Sequence, residues 1–395
     1  MHRSHVLVSG AGIAGPALAL CLQHRGYDVT VVERAPGLRE GGQAVDFRGP
    51  VHRTVLERLG LWGPIHERRT RPGPLVLLDR AGAPVATLPE VMMAGDVEIL
   101  RGDLSRLLYD RSRDTTDYRF GDRVVGLEAD GDGVTATFEH ARSQTFDFVV
   151  GADGLHSGVR ELAFGEEANF LRHHGYRIAT FEVPNHLAPE PGARIYSAPG
   201  RAVGLFGSST GSARALLVYT GEPLASADRR DTDGQKRVLR ETFGGVGWET
   251  PRVLDALDAS TDLYVDAIAT VALDRYARGR VVLLGDAAYG GTLGGQGTSL
   301  AIVGAWVLVG ELARGGGLGA AFTRYETTMR PYATRCQAGA TRAGSFFAPR
   351  TTAGRWLRDH AHRLLTSPRM LWAFEWMVKD AATDLVLPDA PMTMQ

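Results

Sequence analysis

Glycine-rich segments flanked by acidic residues are the part of this sequence best suited to chemistry. The first reads GAGIAG at residues 10–15; it follows an apolar run, precedes a helical pattern, and has Glu33 at the end of the next apolar run. Glycines there let the backbone approach a pyrophosphate, the helix N-terminus faces its charge, and the carboxylate binds ribose hydroxyls. The pattern predicts a dinucleotide site, without distinguishing NAD from FAD, formed by Gly10, Gly12, Ala14, Gly15 and Glu33.

Two further glycine-rich segments place an aspartate directly after a predicted strand. Residues 151–160 read GADGLHSGVR and residues 285–289 read GDAAY. A GQG sequence at 295–297 then opens an apolar helix, whose N-terminus offers free N–H groups and a positive dipole end to a ligand. Because open α/β sheets bind ligands at the carboxyl ends of their strands, Asp153 and Asp286 are candidate binding residues. For either loop alone, a structural turn capped by its aspartate is the alternative.

The elements around these segments predict an α/β fold interrupted by a sheet-rich insertion. Runs at 5–9 and 28–33 flank a helical pattern over 14–25, which makes a β-α-β unit. Short β-like runs follow at 75–88, 177–183, 193–196, 203–206 and 215–219. We therefore expect a discontinuous Rossmann-like domain over residues 1–70, 101–167 and 276–340. An inserted β-sheet-rich substrate domain is expected over 71–100 and 168–275, and C-terminal helices over 341–395.

Composition excludes several broad classes of protein. With 44% hydrophobic and 23% charged residues among 395, the chain is typical of a globular protein. A net charge of -1 offers no global field for nucleic acid or a membrane surface, and Leu300–Leu312 is shorter than the ~20 residues of a membrane span. The two cysteines, Cys21 and Cys336, support neither a disulfide framework nor a zinc site. We expect a cytoplasmic protein without a metal, nucleic-acid or membrane partner.

The order and spacing of the motifs resemble one known family. GAGIAG with Glu33, EILRGDLSRLL, GADGLHSGVR and GDAA with GQG occur in this order in the class A flavoprotein aromatic monooxygenases of the p-hydroxybenzoate hydroxylase type. The resemblance spans about residues 5–340 and is greatest to tetracycline-modifying monooxygenases and aromatic-polyketide hydroxylases. It implies bound FAD, NADPH or NADH as a transient co-substrate, and O2. It also implies hydroxylation of a small-molecule aromatic or polycyclic phenolic substrate through a flavin C4a-hydroperoxide, with the flavin carrying the chemistry.

The resemblance assigns binding roles residue by residue. The ADP half of FAD falls to Gly10, Gly12, Ala14, Gly15 and Glu33, and the adenine to the backbone of Val124. By the same resemblance, the flavin half would be bound by Arg101, Asp286, Gly297 and Thr298. Arg34 and Asp153 would lie in the region shared with the nicotinamide cofactor. The substrate cavity falls to Gln43, Asp46, Phe206, Gly294 and Gly295.

The chain departs from the family between GDAA and GQG. Tyr289 stands where a histidine is common, and the segment after it has no proline and is about one residue short. The glycines predict a looser loop that would leak peroxide from the activated flavin. The departure leaves two alternatives open: epoxidation, Baeyer–Villiger insertion or simple oxidation on the same scaffold, or a flavin-binding protein without turnover. The choice between monomer and homodimer is also open.

Two other patterns are interpreted as structural. GSSTG at 207–211 matches the G-x-S-x-G motif of serine hydrolases, but a β-like run follows it where a nucleophile elbow needs a helix. It is therefore predicted to be a hairpin turn. Four arginines near the C-terminus are interpreted as a solvated face, namely Arg350, Arg355, Arg358 and Arg363.

Overall fold

A computed structural model describes most of the chain. The described residues are 3–38, 42–71, 73–88, 95–188, 191–207, 213–223, 231–293, 296–366 and 385–388. The predicted substrate-cavity residues Gly294 and Gly295 lie outside them, as do residues 367–384 and 389–395 of the predicted C-terminal helical segment.

Strands and helices are numbered along the described part of the chain. The strands are β1 His5–Ser9, β2 Asp28–Glu33, β3 Ala44–Phe47, β4 Leu75–Leu78, β5 Pro84–Leu88, β6 Val97–Leu100, β7 Thr116–Phe120, β8 Val124–Asp130, β9 Gly133–Phe138, β10 Gln144–Phe146, β11 Phe148–Gly151, β12 Leu171–Val183, β13 Gly192–Ala198, β14 Arg201–Gly207, β15 Ala213–Thr220, β16 Tyr264–Val271, β17 Ala277–Arg278 and β18 Val281–Leu283. The helices are α1 Ala14–Gln23, α2 Gly49–Arg58, α3 Trp62–Glu67, α4 Arg101–Ser112, α5 Gly158–Phe164, α6 Thr232–Phe243, α7 Thr250–Ala259, α8 Asp286–Tyr289, α9 Gly297–Ala313, α10 Gly317–Phe347 and α11 Thr352–Leu365.

A six-stranded sheet contains the predicted β-α-β unit. Its order is β17-β18-β11-β1-β2-β7, and all neighbouring pairs except β17–β18 are parallel. Val6, Leu7 and Val8 of the central strand are fully buried, as expected for a parallel strand covered on both faces. The parallel order brings the carboxyl ends of β1, β2, β11 and β18 to one edge, which is where the three glycine-rich segments follow.

A seven-stranded sheet forms the second part of the fold. Its order is β16-β12-β15-β14-β13-β4-β5, antiparallel except for β13 against β4. Helices α6 and α7 cover one face, where Leu239, Phe243 and Leu257 join its apolar side chains. The opposite face carries a second apolar cluster that includes Phe206 and Leu293. This sheet uses residues from the predicted insertion, whereas β6 pairs with β3 in a separate two-stranded sheet.

The C-terminal arginines hold α11 against the seven-stranded sheet. Arg358 donates to the carbonyl oxygens of Phe346 and Phe347 at 2.7 and 3.2 Å, and Arg355 donates to that of Ser197 at 2.9 Å. The last carbonyls of a helix lack intrahelical donors, and a guanidinium offers five. The side chain of Arg358 is buried, so the interpretation as a solvated face is wrong for Arg358 and for the half-buried Arg355, which join α10, α11 and the sheet. Arg350 and Arg363, in contrast, are exposed as predicted.

Several negative findings hold within the described ranges. No helix there is long and apolar enough to cross a membrane. No group of three His, Cys, Asp or Glu residues in the same ranges is arranged to hold a metal ion. Cys21 and Cys336 are both free thiols.

Candidate cofactor site

The glycines of the GAGIAG loop differ in the space around them. No side chain would fit at Gly10 or Gly15, whereas a side chain at Gly12 would enter open space. A Cβ on Gly10, whose φ is +106°, would lie 2.5 Å from the carbonyl oxygen of Ala152, and a Cβ on Gly15 would overlap the carbonyl of Gly10. A Cβ on Gly12 would meet no heavy atom of the described residues within 4 Å. The loop is therefore packed on its inner side and open on its outer side, as a pyrophosphate cradle requires.

Glu33 is fixed beside this loop by backbone donors. Its carboxylate accepts from the N–H of Ala11 at 2.8 Å and from the N–H of Ala35 at 2.9 Å. A carboxylate has about four acceptor positions, so further positions remain for ribose hydroxyls. Arg34 is exposed next to it, and Val124 is buried at the start of β8.

The carboxylate of Asp153 forms hydrogen bonds with residues of its own glycine-rich segment. Its carboxylate accepts from the hydroxyl of Ser157 and from the N–H of Val159, the latter at 3.1 Å. Ser157 in turn caps α5 by accepting from the N–H of Arg160 at 3.0 Å. Burial raises the pKa of Asp153, and these donors oppose the shift. Asp153 thus shapes the loop after β11, and its proposed place near the nicotinamide cofactor stays a prediction.

Asp286 and Gly297 meet although eleven positions separate them in the chain. A Cβ on Gly297 would lie 3.0 Å from Oδ1 of Asp286. The N–H groups of Gly297 and Thr298 lie in the first turn of α9, where they have no intrahelical acceptor. Asp286 stands at the start of α8, and within the described residues its carboxylate has no hydrogen-bond donor. Burial raises the pKa of Asp286, and Arg101 nearby lowers it.

The arrangement fits FAD on the evidence of its own geometry. Open space beside Gly12 and the start of α1 suit a pyrophosphate, and Glu33 suits a ribose. Asp286 is a half-buried carboxylate that lacks a donor in the described part of the chain, so it can accept from the hydroxyl groups of a polyol. The N-terminus of α9 suits an electron-rich ring edge.

The predicted substrate-cavity residues are distributed among different environments. Phe206 is half-buried on the apolar face of the seven-stranded sheet, together with Leu293. Asp46 is buried and pairs with Arg48. Gln43 is exposed, and its carbonyl oxygen accepts from the N–H of Arg101 at 3.2 Å. Phe206 thus belongs to an apolar surface and Asp46 has a partner of its own, and the substrate roles of both stay predictions.

The loop that lacks a proline is tied down over residues 289–293. Gln337 on α10 donates to the carbonyl oxygens of Tyr289 and Gly290 at 3.0 and 3.2 Å, and the N–H of Thr292 donates to the carbonyl of Ala269 at 3.0 Å. These contacts hold residues 289–293 where the family has a proline, and the predicted leak of peroxide from the flavin stays a prediction.

Tyr289, which stands where the family commonly has histidine, is part of the core. It is 2% exposed, and its hydroxyl lies 3.2 Å from that of Tyr325 on α10. A Cβ on Gly304 of α9 would overlap the Tyr289 hydroxyl. The tyrosine is thus accommodated by a glycine on the neighbouring helix, and its role is packing.

A charged cluster that the motif analysis did not assign lies beside the site. His156 contacts Glu167 through Nδ1 at 2.8 Å and Asp266 through Nε2 at 3.1 Å, and the hydroxyl of Tyr264 donates to Asp266 at 2.7 Å. Burial alone would lower the pKa of His156, but the two carboxylates raise it to about 9. Tyr264 and Asp266 are two apart on β16 and therefore share a face of the strand, but no local pattern in the sequence links them to His156.

Comparisons with known proteins agree with this geometry. Residues 3–340 match the FAD binding domain family. An uncharacterized protein of Mycobacterium tuberculosis is 41% identical over 315 residues, covering 78% of this chain and 84% of that protein. A flavin-dependent monooxygenase of Legionella longbeachae is 35% identical over 334 residues, covering 83% and 85%. The crystal structure of the tetracycline destructase Tet(55) superimposes with a TM-score of 0.81 at 31% identity, covering 98% of this chain and 99% of that chain.

The fold and the site define an FAD-dependent oxidoreductase. The chain belongs to the FAD binding domain family, whose p-hydroxybenzoate hydroxylase-type members are flavin monooxygenases, and it is itself a monooxygenase of this kind. The resemblance drawn from the sequence is thereby confirmed, as are the α/β fold and FAD.

Proposed function

We propose that this monooxygenase consumes NAD(P)H and hydroxylates an aromatic or polycyclic phenolic compound. The observation that carries the proposal is the position of an apolar surface beside the cofactor site. Leu293 belongs to the loop between Asp286 and Gly297, and its side chain packs into the same apolar cluster as Phe206 of the seven-stranded sheet. A flat, apolar substrate on that surface would lie next to the part of the site that holds the flavin.

The residues of the site are proposed to bind and position the cofactor. Bound FAD supplies the redox chemistry, accepting electrons from NAD(P)H and passing them to O2. Gly12 and the start of α1 would hold its pyrophosphate, and Glu33 its ribose. Asp286 would accept from its hydroxyl groups, and the N-terminus of α9 would stabilise negative charge on the reduced ring.

The nicotinamide cofactor is proposed to bind only transiently. The sequence contains one GxGxxG segment, and its loop is accounted for by FAD. Arg34 is exposed beside Glu33 and offers a positive charge to a second dinucleotide. Binding at such an open surface would let the oxidised nicotinamide leave before the substrate reacts.

A polycyclic substrate is favoured by one of the relatives. The structure at 31% identity is that of a protein named a tetracycline destructase, and it covers 98% of this chain. Phe206 and Phe346 both join the apolar cluster beside Leu293, and such aromatic side chains suit stacking against fused rings. We therefore place fused-ring phenols first among candidate substrates.

Isotope incorporation tests the proposed reaction. Purified FAD-loaded protein is given NADPH or NADH, a panel of fused-ring and single-ring phenols, and oxygen labelled with oxygen-18. We expect a product heavier by one labelled oxygen atom. A product without the label would identify an oxidase instead, and tandem mass spectra would separate hydroxylation from ring insertion or epoxidation. Retention of FAD with no NAD(P)H oxidation on any compound would favour a binding protein without turnover.

A further inference from the structure

A chain of hydrogen bonds runs from the protein surface toward the cofactor site. It begins at Glu167, which is 27% exposed, passes through His156 to Asp266, and ends at the hydroxyl of Tyr264. The side chain of Asp266 is 5% exposed, and its carboxylate accepts from His156, from the hydroxyl of Tyr264 and from the N–H of Ala267, the last at 2.7 Å. These hydrogen bonds fix the side chains of His156 and Tyr264, because breaking them would leave a buried carboxylate without its donors.

Tyr264 lies at the border of the cofactor site. It is 43% exposed, whereas every other residue of β16 is buried. Helix α8, which begins with Asp286, packs against β16. Arg101 and Asp286 are close enough to act on the charge of the Tyr264 hydroxyl. Through Asp266 and His156, Tyr264 is joined to the GADGLHSGVR loop at the carboxyl edge of the parallel sheet, where the predicted FAD-binding residues lie.

The direction of the hydrogen bonds determines what Tyr264 can bind. Its only proton is donated to Asp266, so the phenol oxygen has lone pairs to offer and no proton. Although burial opposes it, the contacts with His156 and Tyr264 lower the pKa of Asp266, which keeps this acceptor ionised. A ligand that meets the Tyr264 oxygen must therefore be a hydrogen-bond donor, and the hydroxyl groups of a ribityl or ribose chain are donors of this kind.

We propose that Tyr264 is a further contact residue for FAD, accepting a hydrogen bond from a hydroxyl group of the cofactor, and that His156 and Asp266 are positioning residues for it. The proposal rests on the binding of FAD by this site. It explains why β16, which is largely apolar and buried, carries a tyrosine and an aspartate on one face. It also explains why a histidine between two carboxylates lies within the GADGLHSGVR segment.

Protonation of His156 gives the proposal a distinctive signature. The charged groups that act on His156 itself are Glu167, from the 3-10 turn after α5, and Asp266 on β16. Their charged or titratable neighbours are Arg160 beside Glu167 and Tyr264 beside Asp266. Farther out, Asp153 and Glu161 act on Arg160, and Arg101 and Asp286 act on Tyr264. The pKa of His156 is about 9, and that of Tyr264 lies well above its ordinary value of 10. Affinity for FAD should therefore weaken as pH rises through 9, when the imidazolium is lost and Asp266 loses its charged partner.

The experiment measures the dissociation constant of FAD from apoprotein by quenching of flavin fluorescence, between pH 7 and 10. Tyr264→Phe removes only the hydroxyl, and His156→Gln removes the charge. Tyr196→Phe is the matched control, because Tyr196 is buried on the helix-covered face of the same sheet. Dissociation constants are expressed relative to this control, so that ionisation of FAD itself cancels.

We expect Tyr264→Phe to raise the dissociation constant about tenfold at pH 7, which corresponds to the loss of one hydrogen bond. The wild type should approach the variant's value above pH 9, and His156→Gln should bind weakly at every pH. If Tyr264→Phe follows Tyr196→Phe across the whole range, the proposal is overturned. If the wild-type apoprotein takes up no FAD at all, the cofactor assignment itself fails, which is a different outcome.

Discussion

At the scale of single residues, Gly304 shows how a substitution in the candidate site is compensated. Tyr289 occupies the position after GDAA, and its hydroxyl uses the space that a Cβ on Gly304 would fill. Alanine in a helix is ordinarily more stable than glycine by about 1 kcal/mol, whereas overpacking a core costs roughly 1–3 kcal/mol. Because a Cβ on Gly304 would also lie 2.9 Å from a methyl group of Leu284, we expect Gly304→Ala to lower the free energy of unfolding in a urea titration.

A double variant separates the clash from other causes. Tyr289→Phe removes the atom that the new Cβ overlaps, so Gly304→Ala combined with Tyr289→Phe should regain part of the lost stability. The control is Gly319→Ala on α10, where an added Cβ meets no atom of the described residues within 4 Å. Equal effects of Gly304→Ala and Gly319→Ala would contradict this account of Tyr289.

Asp286 should matter for the cofactor and not for the apoprotein. Its half-buried carboxylate finds no donor among the described residues, and an unpaired buried charge destabilises a fold. We expect Asp286→Ala to lose FAD, seen as flavin absorbance per protein, while the melting temperature of the apoprotein stays the same or rises. Asp153→Ala should instead lower the melting temperature of the apoprotein, because the Asp153 carboxylate accepts hydrogen bonds from Ser157 and Val159. Full flavin occupancy in Asp286→Ala would refute the role of Asp286.

At the scale of elements, the loop between α8 and α9 is held by a side chain from α10. Gln337 reaches the carbonyls of Tyr289 and Gly290, so Gln337→Ala should free the segment next to the flavin. We expect more hydrogen peroxide per NAD(P)H consumed, measured in a coupled peroxidase assay. Thr334→Ala, an exposed position on the same helix, is the control. Unchanged peroxide yield in Gln337→Ala would show that the loop is rigid without this contact.

The bounds of a strand are predicted most accurately from the sequence where the whole strand pairs within a single sheet. Strands β1 and β2 have the predicted bounds because both are buried in the centre of a parallel sheet. The apolar run at 146–150 instead divides into β10 and β11, since its first residue pairs antiparallel with β9 and the rest pairs parallel with β1. Periodicity records burial and not the identity of the partner strand, so this division could not be predicted.

The same reason limits prediction of the site. Local patterns indicated Glu33 and Asp286, because each lies beside its own glycine-rich loop. The contact of His156 with Asp266 joins residues 110 positions apart, and no local pattern specifies such a pairing. The role of Gln337 was missed for this reason as well.

At the scale of the whole molecule, His156 links a loop of the parallel sheet to β16 of the seven-stranded sheet. Its pKa is about 9 in the folded protein, above the ordinary 6.5. A raised pKa stabilises the fold fully below pH 6.5, and this stabilisation, on the order of 3 kcal/mol, is lost as pH rises through 9. We expect the free energy of unfolding to fall between pH 6.5 and 9 in the wild type. The slope should be shallower in His156→Gln, and equal slopes would contradict the assignment.

The central claim is that NAD(P)H reduces a bound flavin for the oxygenation of a phenolic substrate. It is tested most directly by anaerobic stopped-flow absorbance of the FAD-loaded protein mixed with NADPH or NADH, with and without each phenol of the panel. The account predicts that the flavin absorbance bleaches, and that one class of phenol accelerates the bleaching. A flavin that stays oxidised with both nucleotides and every phenol would contradict it.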